Sequence, residues 1–276
     1  MLAVLCSAHD ADALWFAIRA RRAGAAVTVV TDTRLAFARR RSHAVDEEGT
    51  RSVVELDDGT VLDDRTVTGV LNRLTAAPDA AWRAVRDPAE RGYAAAELGA
   101  FTLSWLAGLR CPVRNRPDPS FLAGRPHEPL VALAAARTAG WPSPDVDLDT
   151  AAGDEVGDAV LAGAARQAGP GARAVTAVLL DGAITGPAGL PDDLAPHAGA
   201  FAAALGATDQ LLGATFVTGP GGWWFAGAQP LPPLRPGGDL LVAGLLAALG
   251  ADDRAVVGGP ALDVVGPADH REEVPA

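Results

Sequence analysis

The sequence predicts an α/β lobe with a parallel sheet, followed by an α+β lobe with an antiparallel sheet. A length of 276 residues allows one large domain or two smaller ones. With 49% hydrophobic and 21% charged residues, the chain has enough apolar surface to fold. Strand and helix patterns alternate in the first part of the chain, whereas a hairpin of consecutive strands stands near the end. This change of order separates the two lobes.

The first lobe opens with a strand, a helix and a second strand. Leu2–Cys6 is a short apolar run, and helical spacing of apolar residues extends from Asp10, a candidate N-cap, to Gly24. Ala26–Thr31 is typical of a second buried strand. This βαβ unit predicts a parallel, Rossmann-like sheet. Its turn lacks the G-x-G-x-x-G spacing, so nothing favours a dinucleotide.

A hairpin and a third buried strand follow. Residues 57–60, with the sequence DDGT, join two alternating runs and predict a hairpin at the edge of the sheet. The strand Val67–Leu71 ends at Asn72 and Arg73. Ligands of open α/β sheets bind at such carboxyl ends, which makes both residues ligand-binding candidates. The alternative is a solvated strand end with the arginine paired to a local carboxylate.

A long helix begins at Pro88 and leads into an arginine-rich loop. Its apolar stripe consists of Tyr93, Leu98, Phe101, Trp105 and Leu109. Glu97 lies at the margin of this stripe, where it either pairs with an arginine or faces a cleft. Arg114, Asn115 and Arg116 then follow a short strand on a proline-rich loop. They could hold an anion or a peptide carboxylate, or form salt bridges with nearby carboxylates.

The second lobe follows a helix at 128–140 and a linker rich in Pro, Gly and Asp, with a boundary near 145–155. Its predicted elements are a helix at 155–168, a strand at 173–182, a helix at 193–205, strands at 211–219 and 223–227, and a helix at 238–249. Residues from 251 onward show little periodicity, and we expect loose packing there. The predicted division is therefore 1–123, a connecting helix and linker at 124–150, and 151–276.

Two adjacent tryptophans lie in the late hairpin. Trp223 and Trp224 must point to opposite faces of the strand, so only one can lie in the core. The other is exposed, covered by the C-terminal helix, or covered by a partner. Both are interface candidates, because tryptophan is enriched in binding hot spots.

Composition excludes several classes of function. A formal net charge of −11 argues against a nucleic-acid partner. No uninterrupted apolar run is long enough for a membrane span, and the first residues lack a secretion signal, so we expect a cytoplasmic protein. Two cysteines and five scattered histidines provide no disulfide framework and no metal site.

The sequence contains no lysine, and all 23 basic residues are arginine. Schiff-base chemistry and a phosphate-binding lysine are therefore excluded, although arginine can hold phosphates bidentately. An Ala-, Gly-, Pro- and Arg-rich chain also suggests a GC-rich coding sequence, which accounts for part of this bias. A separate enzymatic option uses Cys6 or His9 at the end of the first strand, but Cys6 is also a typical buried small residue.

The order of these segments resembles the ATP-grasp carboxylate–amine ligases, especially the peptide-modifying branch that includes the graspetide macrocyclases. The resemblance covers most of the chain and is carried by VLCSAHDADALWFAIRARRAGAAVTVVTD, GVLNRL, AAAELGAFTLSWLAGLRCPVRNRP, PLVALAAARTAGWPSP and LLGATFVTGPGGWWFAGAQPLPPL. It implies a Rossmann-like pre-ATP-grasp lobe followed by a truncated ATP-grasp-like lobe.

The chain departs from that family where a nucleotide and magnesium would bind. The family carries a Glu-x-Asn pair on a late strand, where this chain has Gly227 and Gln229, and Thr215 stands where the preceding strand usually has an acidic ligand. The nucleotide lysine is missing, and the segment between Pro144 and Arg173 is too short for a full lid.

Our leading hypothesis is a catalytically degenerate ATP-grasp-like protein that acts as a binding or accessory subunit in a bacterial biosynthetic pathway. Its partner would be a peptide or another protein, with a homodimer as one option, and neither nucleic acid nor membrane is expected. We assign it no catalytic residue, metal or cofactor. The alternative is an ATP-dependent carboxylate–amine or peptide ligase that uses ATP and Mg²⁺ and holds the nucleotide with arginines.

Overall fold

The first lobe is built on a four-stranded parallel sheet, seen in a computed structural model that describes residues 1–47, 49–147 and 155–251. Its strands lie in the order β2-β1-β6-β7. Its elements are β1 (Leu2–Cys6), α1 (Ala11–Arg22), β2 (Val27–Thr31), α2 (Asp32–Ala36), β3 (Arg40–Asp46), β4 (Gly49–Glu55), β5 (Val61–Leu62), β6 (Gly69–Asn72), α3 (Pro88–Gly108) and β7 (Val113–Arg114). The prediction of a parallel sheet is confirmed.

Helix α1 begins and ends where the sequence predicts. The Asp10 carboxylate accepts hydrogen bonds from the N–H groups of Asp12 at 3.1 Å and Ala13 at 2.9 Å, which satisfies two otherwise unpaired donors. Gly24 follows the C-cap with φ of +90°, a conformation that glycine adopts without steric cost. Phe16 and the small residues on the same helix face are buried against the sheet.

The predicted hairpin forms, but its position was predicted wrongly. Strands β3, β4 and β5 make a separate three-stranded antiparallel sheet rather than an edge of the parallel one. Val54, Leu56 and Leu62 pack in one cluster with Trp105 of α3. His43 joins this sheet to α3, because its ring nitrogens lie 2.7 Å from Ser52 Oγ and 2.9 Å from Ser104 Oγ. The apolar faces of hairpin and helix therefore cover each other.

The stripe on α3 is only partly buried. Leu98 and Trp105 lie in the core, whereas Tyr93 is 69% exposed. The prediction that Tyr93 is a core residue is wrong, because the first turns of this long helix extend beyond the three-stranded sheet that covers its later turns.

The second lobe has a four-stranded antiparallel sheet in the order β11-β10-β8-β9. Its elements are α4 (Pro129–Ala139), α5 (Val156–Ala168), β8 (Arg173–Leu180), β9 (Ala183–Gly186), α6 (Ala198–Leu205), β10 (Leu211–Gly219), β11 (Gly222–Gln229) and α7 (Gly238–Ala248). Four aromatic residues, Trp141, Phe201, Phe216 and Phe225, pack together between this sheet and helices α4 and α6. The antiparallel sheet is as predicted.

Two details of the second lobe differ from the prediction. Strand β9 was not predicted, because four residues with two glycines nearby carry little periodicity. Helix α6 begins at Ala198 rather than at residue 193, after a short 3₁₀ turn at Ala195–His197 that contains Pro196. Part of the predicted linker, 148–154, and nearly all of the predicted loose segment, 252–276, lie outside the described residues.

The two lobes share one apolar core. Leu2, Val4 and Phe16 of the first lobe belong to the same buried cluster as Leu180 and Leu211 of the second. Helix α7 covers the other side of this cluster with Leu241 and Leu245. The junction between the lobes is therefore filled by side chains. Within the described residues, no helix is both long and apolar enough to cross a membrane.

Candidate functional site

Asn115 lies at the junction of the lobes and bonds to both of them. Its amide nitrogen donates to the carbonyls of Leu211 at 2.7 Å and Pro230 at 2.8 Å, and its amide oxygen accepts from the Leu211 N–H at 2.7 Å. The side chain is only 2% exposed. Asn115 thereby pairs with the first residue of β10 much as a neighbouring strand would.

Asn72 and Arg73 lie beside Asn115 at the end of β6. Asn72, also 2% exposed, donates to the carbonyls of Asn115 at 2.9 Å and Leu122. The Arg73 guanidinium bonds to the Asp10 carboxylate at 2.7 Å and to the Pro232 carbonyl at 2.9 Å. The same carboxylate caps α1, so a single ion pair connects β6, α1 and the second lobe.

Of the other three candidates, Arg114 also lies at the junction, whereas Arg116 and Glu97 lie elsewhere in the first lobe. Arg114 makes an ion pair with Asp181 at 3.1 Å across the junction, and its Nε is buried without a hydrogen-bond partner. Arg116 donates to the Ala107 carbonyl at 3.2 Å, near the end of α3. Glu97 is exposed on α3, and its side chain makes no hydrogen bond or ion pair with another described residue.

The structure therefore brings four of the six predicted ligand-binding residues together: Asn72, Arg73, Arg114 and Asn115. Nearly all of their polar atoms bond within the protein. Arg116 and Glu97 lie apart from this group. A ligand-binding role for the six residues stays a prediction.

Thr215, Gly227 and Gln229 share one face of the second sheet. Thr215 pairs directly with Gly227, and Gly213 pairs with Gln229. Thr215 Oγ1 lies 3.2 Å from Thr176 Oγ1 on the neighbouring strand β8. A Cβ atom at Gly227 would meet no other atom within 4 Å, so a longer side chain has room there.

No group of three or more His, Cys, Asp or Glu side chains that could hold a metal occurs in the parts of the chain that the structure describes. Asp239, the acidic residue of α7, pairs instead with Arg19 of α1 at 2.7 Å and is 80% exposed. The face formed by Thr215, Gly227 and Gln229 offers a hydroxyl and an amide, but no carboxylate.

A small polar cavity of about 160 Å³ lies at the carboxyl ends of the parallel strands. Ser7 follows β1, Asp32 follows β2, and residues 74–79 follow β6. The chain passes from β2 to the opposite side of β1 at this point, so the cavity lies where ligands of open α/β sheets bind. Ser7 and Asp32 were not predicted as site residues, although their position directly after buried strands could have indicated them.

Cys6 does not have the properties of a nucleophile. It is fully buried in β1, and burial, together with the negative charge of Asp10, raises the pKa of its thiol to about 12. The thiol is therefore protonated near neutral pH, when only a thiolate would attack a substrate. His9 lies nearby but is exposed. The Cys6 chemistry considered from the sequence is contradicted.

Trp223 and Trp224 both lie half-buried, on opposite faces of β11. Trp223 packs against Phe216 in the aromatic core, with 6.3 Å between ring centroids. Trp224 packs beside Val217 and the small residues Ala164 and Ala168 of α5. Helix α5 rather than the C-terminal helix covers this second face, and a partner role for either tryptophan stays a prediction.

No protein-family model matches the sequence, and no curated protein matches it. Solved structures do resemble the chain. Macrocyclase MdnC from Microcystis aeruginosa MRC, bound to precursor peptide MdnA, has a TM-score of 0.64 with 11% identity, over 90% of this chain and 99% of MdnC. A RiPP-associated ATP-grasp ligase of Chryseobacterium gregarium, in complex with ADP and a leader and core peptide, has a TM-score of 0.61 with 8% identity, over 92% and 99% of the two chains.

The ATP-grasp ligase PsnB gives a third match. Its complex with a minimal precursor, Mg and ADP has a TM-score of 0.54 with 15% identity, over 90% of this chain and 98% of PsnB. These likenesses extend over nearly the whole of each chain, so they include both lobes and the junction between them. They confirm the resemblance given by the sequence at the level of the fold. The chain thus has the fold of the RiPP-associated ATP-grasp ligases.

Proposed function

We propose that this protein binds a peptide or a partner enzyme in a RiPP biosynthetic pathway and does not catalyse ATP-dependent ligation. The fold supports the pathway, because the similar structures are ligases and macrocyclases solved with precursor peptides. The face formed by Thr215, Gly227 and Gln229 supports the loss of catalysis. That face is the observation on which the proposal rests.

The residues on this face do not fit a magnesium ion with a nucleotide. Magnesium takes hard oxygen ligands, usually including one or two carboxylates. Thr215 provides a neutral hydroxyl that already lies within hydrogen-bond distance of Thr176, and Gly227 provides no side chain. Gln229 provides only an amide oxygen. We therefore derive no reaction step through ATP or magnesium.

The alternative ligase requires arginines to hold the nucleotide phosphates. Two arginines near the junction are already engaged, Arg73 with Asp10 and Arg114 with Asp181. Releasing Arg73 would leave the largely buried Asp10 carboxylate without its ion-pair partner, which is strongly unfavourable. These contacts favour the binding function over the arginine-based ligase.

Domain organisation and cellular location belong to the same proposal. Residues 1–123 would form the pre-ATP-grasp lobe, 124–150 the connecting helix and linker, and 151–276 the truncated ATP-grasp-like lobe. The buried cluster of the second lobe includes Ala132 and Leu133 of α4, which supports placing that helix after the first lobe. The cytoplasm is the proposed location.

Isothermal titration with ATP and Mg²⁺ tests the proposal. We expect no binding by the natural protein and no ADP release when an amine acceptor is added. Binding with ADP release would overturn the proposal in favour of the ligase. A ligand at about 100 times its Kd would also stabilise the protein by about 2.7 kcal/mol, so a large rise in Tm with ATP would count against us.

A double variant provides the matched positive control. Thr215→Asp with Gly227→Glu places two carboxylates on directly paired residues, and the open space beside Gly227 accommodates the longer side chain. We expect this variant to bind Mn²⁺ by titration calorimetry, whereas the natural protein does not. Equal Mn²⁺ binding by both proteins would show that the natural chain holds a metal through other residues.

A further inference from the structure

Strand β4 has an open backbone edge. It pairs with β3 along its whole length, from Gly49 to Glu55. On its other side, β5 pairs only with Val54 and Glu55. Among the described residues, no other strand pairs with 49–53 on the β5 side. Such an edge offers unpaired N–H and C=O groups to an added strand.

The geometry of the hairpin identifies these backbone groups. The Leu56 N–H donates to the Thr60 carbonyl at 2.8 Å, so Leu56 directs its backbone groups toward the β5 side. Hydrogen-bonding direction alternates along an antiparallel strand, and Ser52 and Thr50 therefore point to the same side as Leu56. No other described residue makes a hydrogen bond to these backbone groups of Thr50 and Ser52.

A cavity of about 550 Å³ borders this edge. Its far side is the turn after β5, where the Asp63 carboxylate accepts from the N–H groups of Arg65 and Thr66, each at 2.9 Å. This turn directs the chain away from β4 directly after Leu62. The cavity thus occupies the line that a longer β5 would follow. Its volume is within the range of about 300–1,000 Å³ that is typical of ligand clefts.

The cavity is more cationic than the rest of the protein. Three exposed arginines line it, together with two aspartates: Arg51, Arg65, Arg110, Asp63 and Asp64. Both carboxylates already accept hydrogen bonds from backbone N–H groups, Asp63 from Arg65 and Asp64 from Arg110. Arg51 also pairs with Asp46 at 2.6 Å. In a chain of formal net charge −11, this surface favours an acidic ligand.

We propose that the open edge of β4 binds an extended acidic segment of a partner polypeptide as an added strand. The proposal rests on the peptide-binding function proposed above and gives it a location and a ligand chemistry. Thr50 and Ser52 pair with the backbone of the segment, as in other cases of strand addition. Asp or Glu side chains of the segment that point into the cavity meet its arginines Arg51 and Arg65.

Fluorescence anisotropy with the full chain tests this proposal. The probes are a short labelled peptide of alternating Glu and Val and a counterpart of alternating Arg and Val. We expect the acidic peptide to bind at least about tenfold more tightly at low salt, since like charges facing each other are strongly disfavoured. Absence of binding by the acidic peptide, or equal binding of the two, overturns the proposal.

Two variants locate the binding. Arg65→Glu reverses one charge in the cavity without touching the β3–β4 ladder, and we expect it to weaken acidic-peptide binding about tenfold. Thr50→Pro removes an outward N–H from the edge and is expected to weaken binding similarly. Arg166→Glu, an exposed charge reversal on α5 in the second lobe, serves as the control and should bind like the natural protein.

The remaining outcomes separate this proposal from the function it rests on. If the acidic peptide binds to the natural protein and to Arg65→Glu with the same affinity, the edge of β4 is not the binding site. The peptide-binding function proposed above would then be retained. If the protein sediments as a dimer that Thr50→Pro makes monomeric, the added strand is a second copy and the partner proposed here is wrong. ATP turnover would overturn the proposed function alone. Unchanged thermal unfolding of Arg65→Glu shows that this variant is folded.

Discussion

Two regions of this protein each carry arginine or other polar residues after a strand. The polar groups of one region are buried and bonded within the protein, whereas those of the other are open. At the lobe junction, Arg73 and Asn115 are buried and bond to protein atoms on both sides. At the edge of β4, Arg65 is exposed, and the outward backbone groups of Thr50 and Ser52 have no partner among the described residues. The comparison teaches that an arginine or asparagine after a buried strand indicates a polar contact, but not whether that contact is with the protein itself or with a ligand.

Breaking the ion pair at the junction is expected to have the largest effect. Arg73→Met leaves the largely buried Asp10 carboxylate without its ion-pair partner, and we expect a loss of about 3–5 kcal/mol in the free energy of unfolding. Chemical denaturation measures this loss. Asp10→Asn, which keeps a helix-capping side chain, provides the second arm of a double-mutant cycle.

The double variant Asp10→Asn with Arg73→Met should be more stable than the sum of the single losses predicts, because neither partner is then left as a lone buried charge. Strict additivity would contradict a direct coupling between the two side chains.

Truncating Asn115 is expected to have the next largest effect. Asn115→Ala leaves the Leu211 N–H and the buried carbonyls of Leu211 and Pro230 without their partner, and we expect a loss of about 2–4 kcal/mol. Arg116→Ala, at the neighbouring exposed position, is the matched control and should cost less than about 1 kcal/mol. Similar losses for the two variants would mean that the Asn115 contacts between the lobes contribute little.

The smallest predicted effect concerns pH. Burial lowers the pKa of His127, and the positive charge of Arg125 lowers it further. The unfolded chain, in which histidine has a pKa of about 6.5, therefore takes up a proton before the folded chain does. Stability contributed by neutral His127 is present above that pH and is lost as the pH falls through it.

The His127→Gln variant removes this proton uptake. We expect its unfolding free energy to fall less steeply than that of the natural protein as the pH is lowered from about 7 to 5, by at most about 1.4 kcal/mol per pH unit. Denaturant titrations at several pH values measure the difference. Parallel pH profiles for the two proteins would contradict the prediction.

Local patterns predicted most helices and strands because each depends on nearby residues, whereas the short helix α2 and the strand β3 were not predicted. The carboxylate of Asp10 caps its own helix, and the DDGT turn closes its own hairpin. The partners of Asn115 could not be predicted in this way. Leu211 lies 96 residues further along the chain, and only the packing of the two lobes brings it near.

The edge of β4 also could not be found from the sequence. The alternating run after Gly59 suggests a strand of ordinary length, but the Asp63 side chain forms a turn that ends β5 after two residues. Tyr93 illustrates a related error, because an apolar stripe does not show how far its packing partner extends along the helix. In both cases the deciding contact lies in another element.

The apolar cluster shared by the lobes also restricts how this protein can respond to a ligand. Swinging one lobe away from the other would expose Leu180 and Leu211 to water together with the strands that cover them. At about 25 cal/mol per Å² of apolar surface, even a modest opening is costly. A hinge between the lobes is thus unfavourable, and a fragment containing only one lobe would expose half of this cluster. Binding partners must therefore meet a preformed surface on a single cooperative unit.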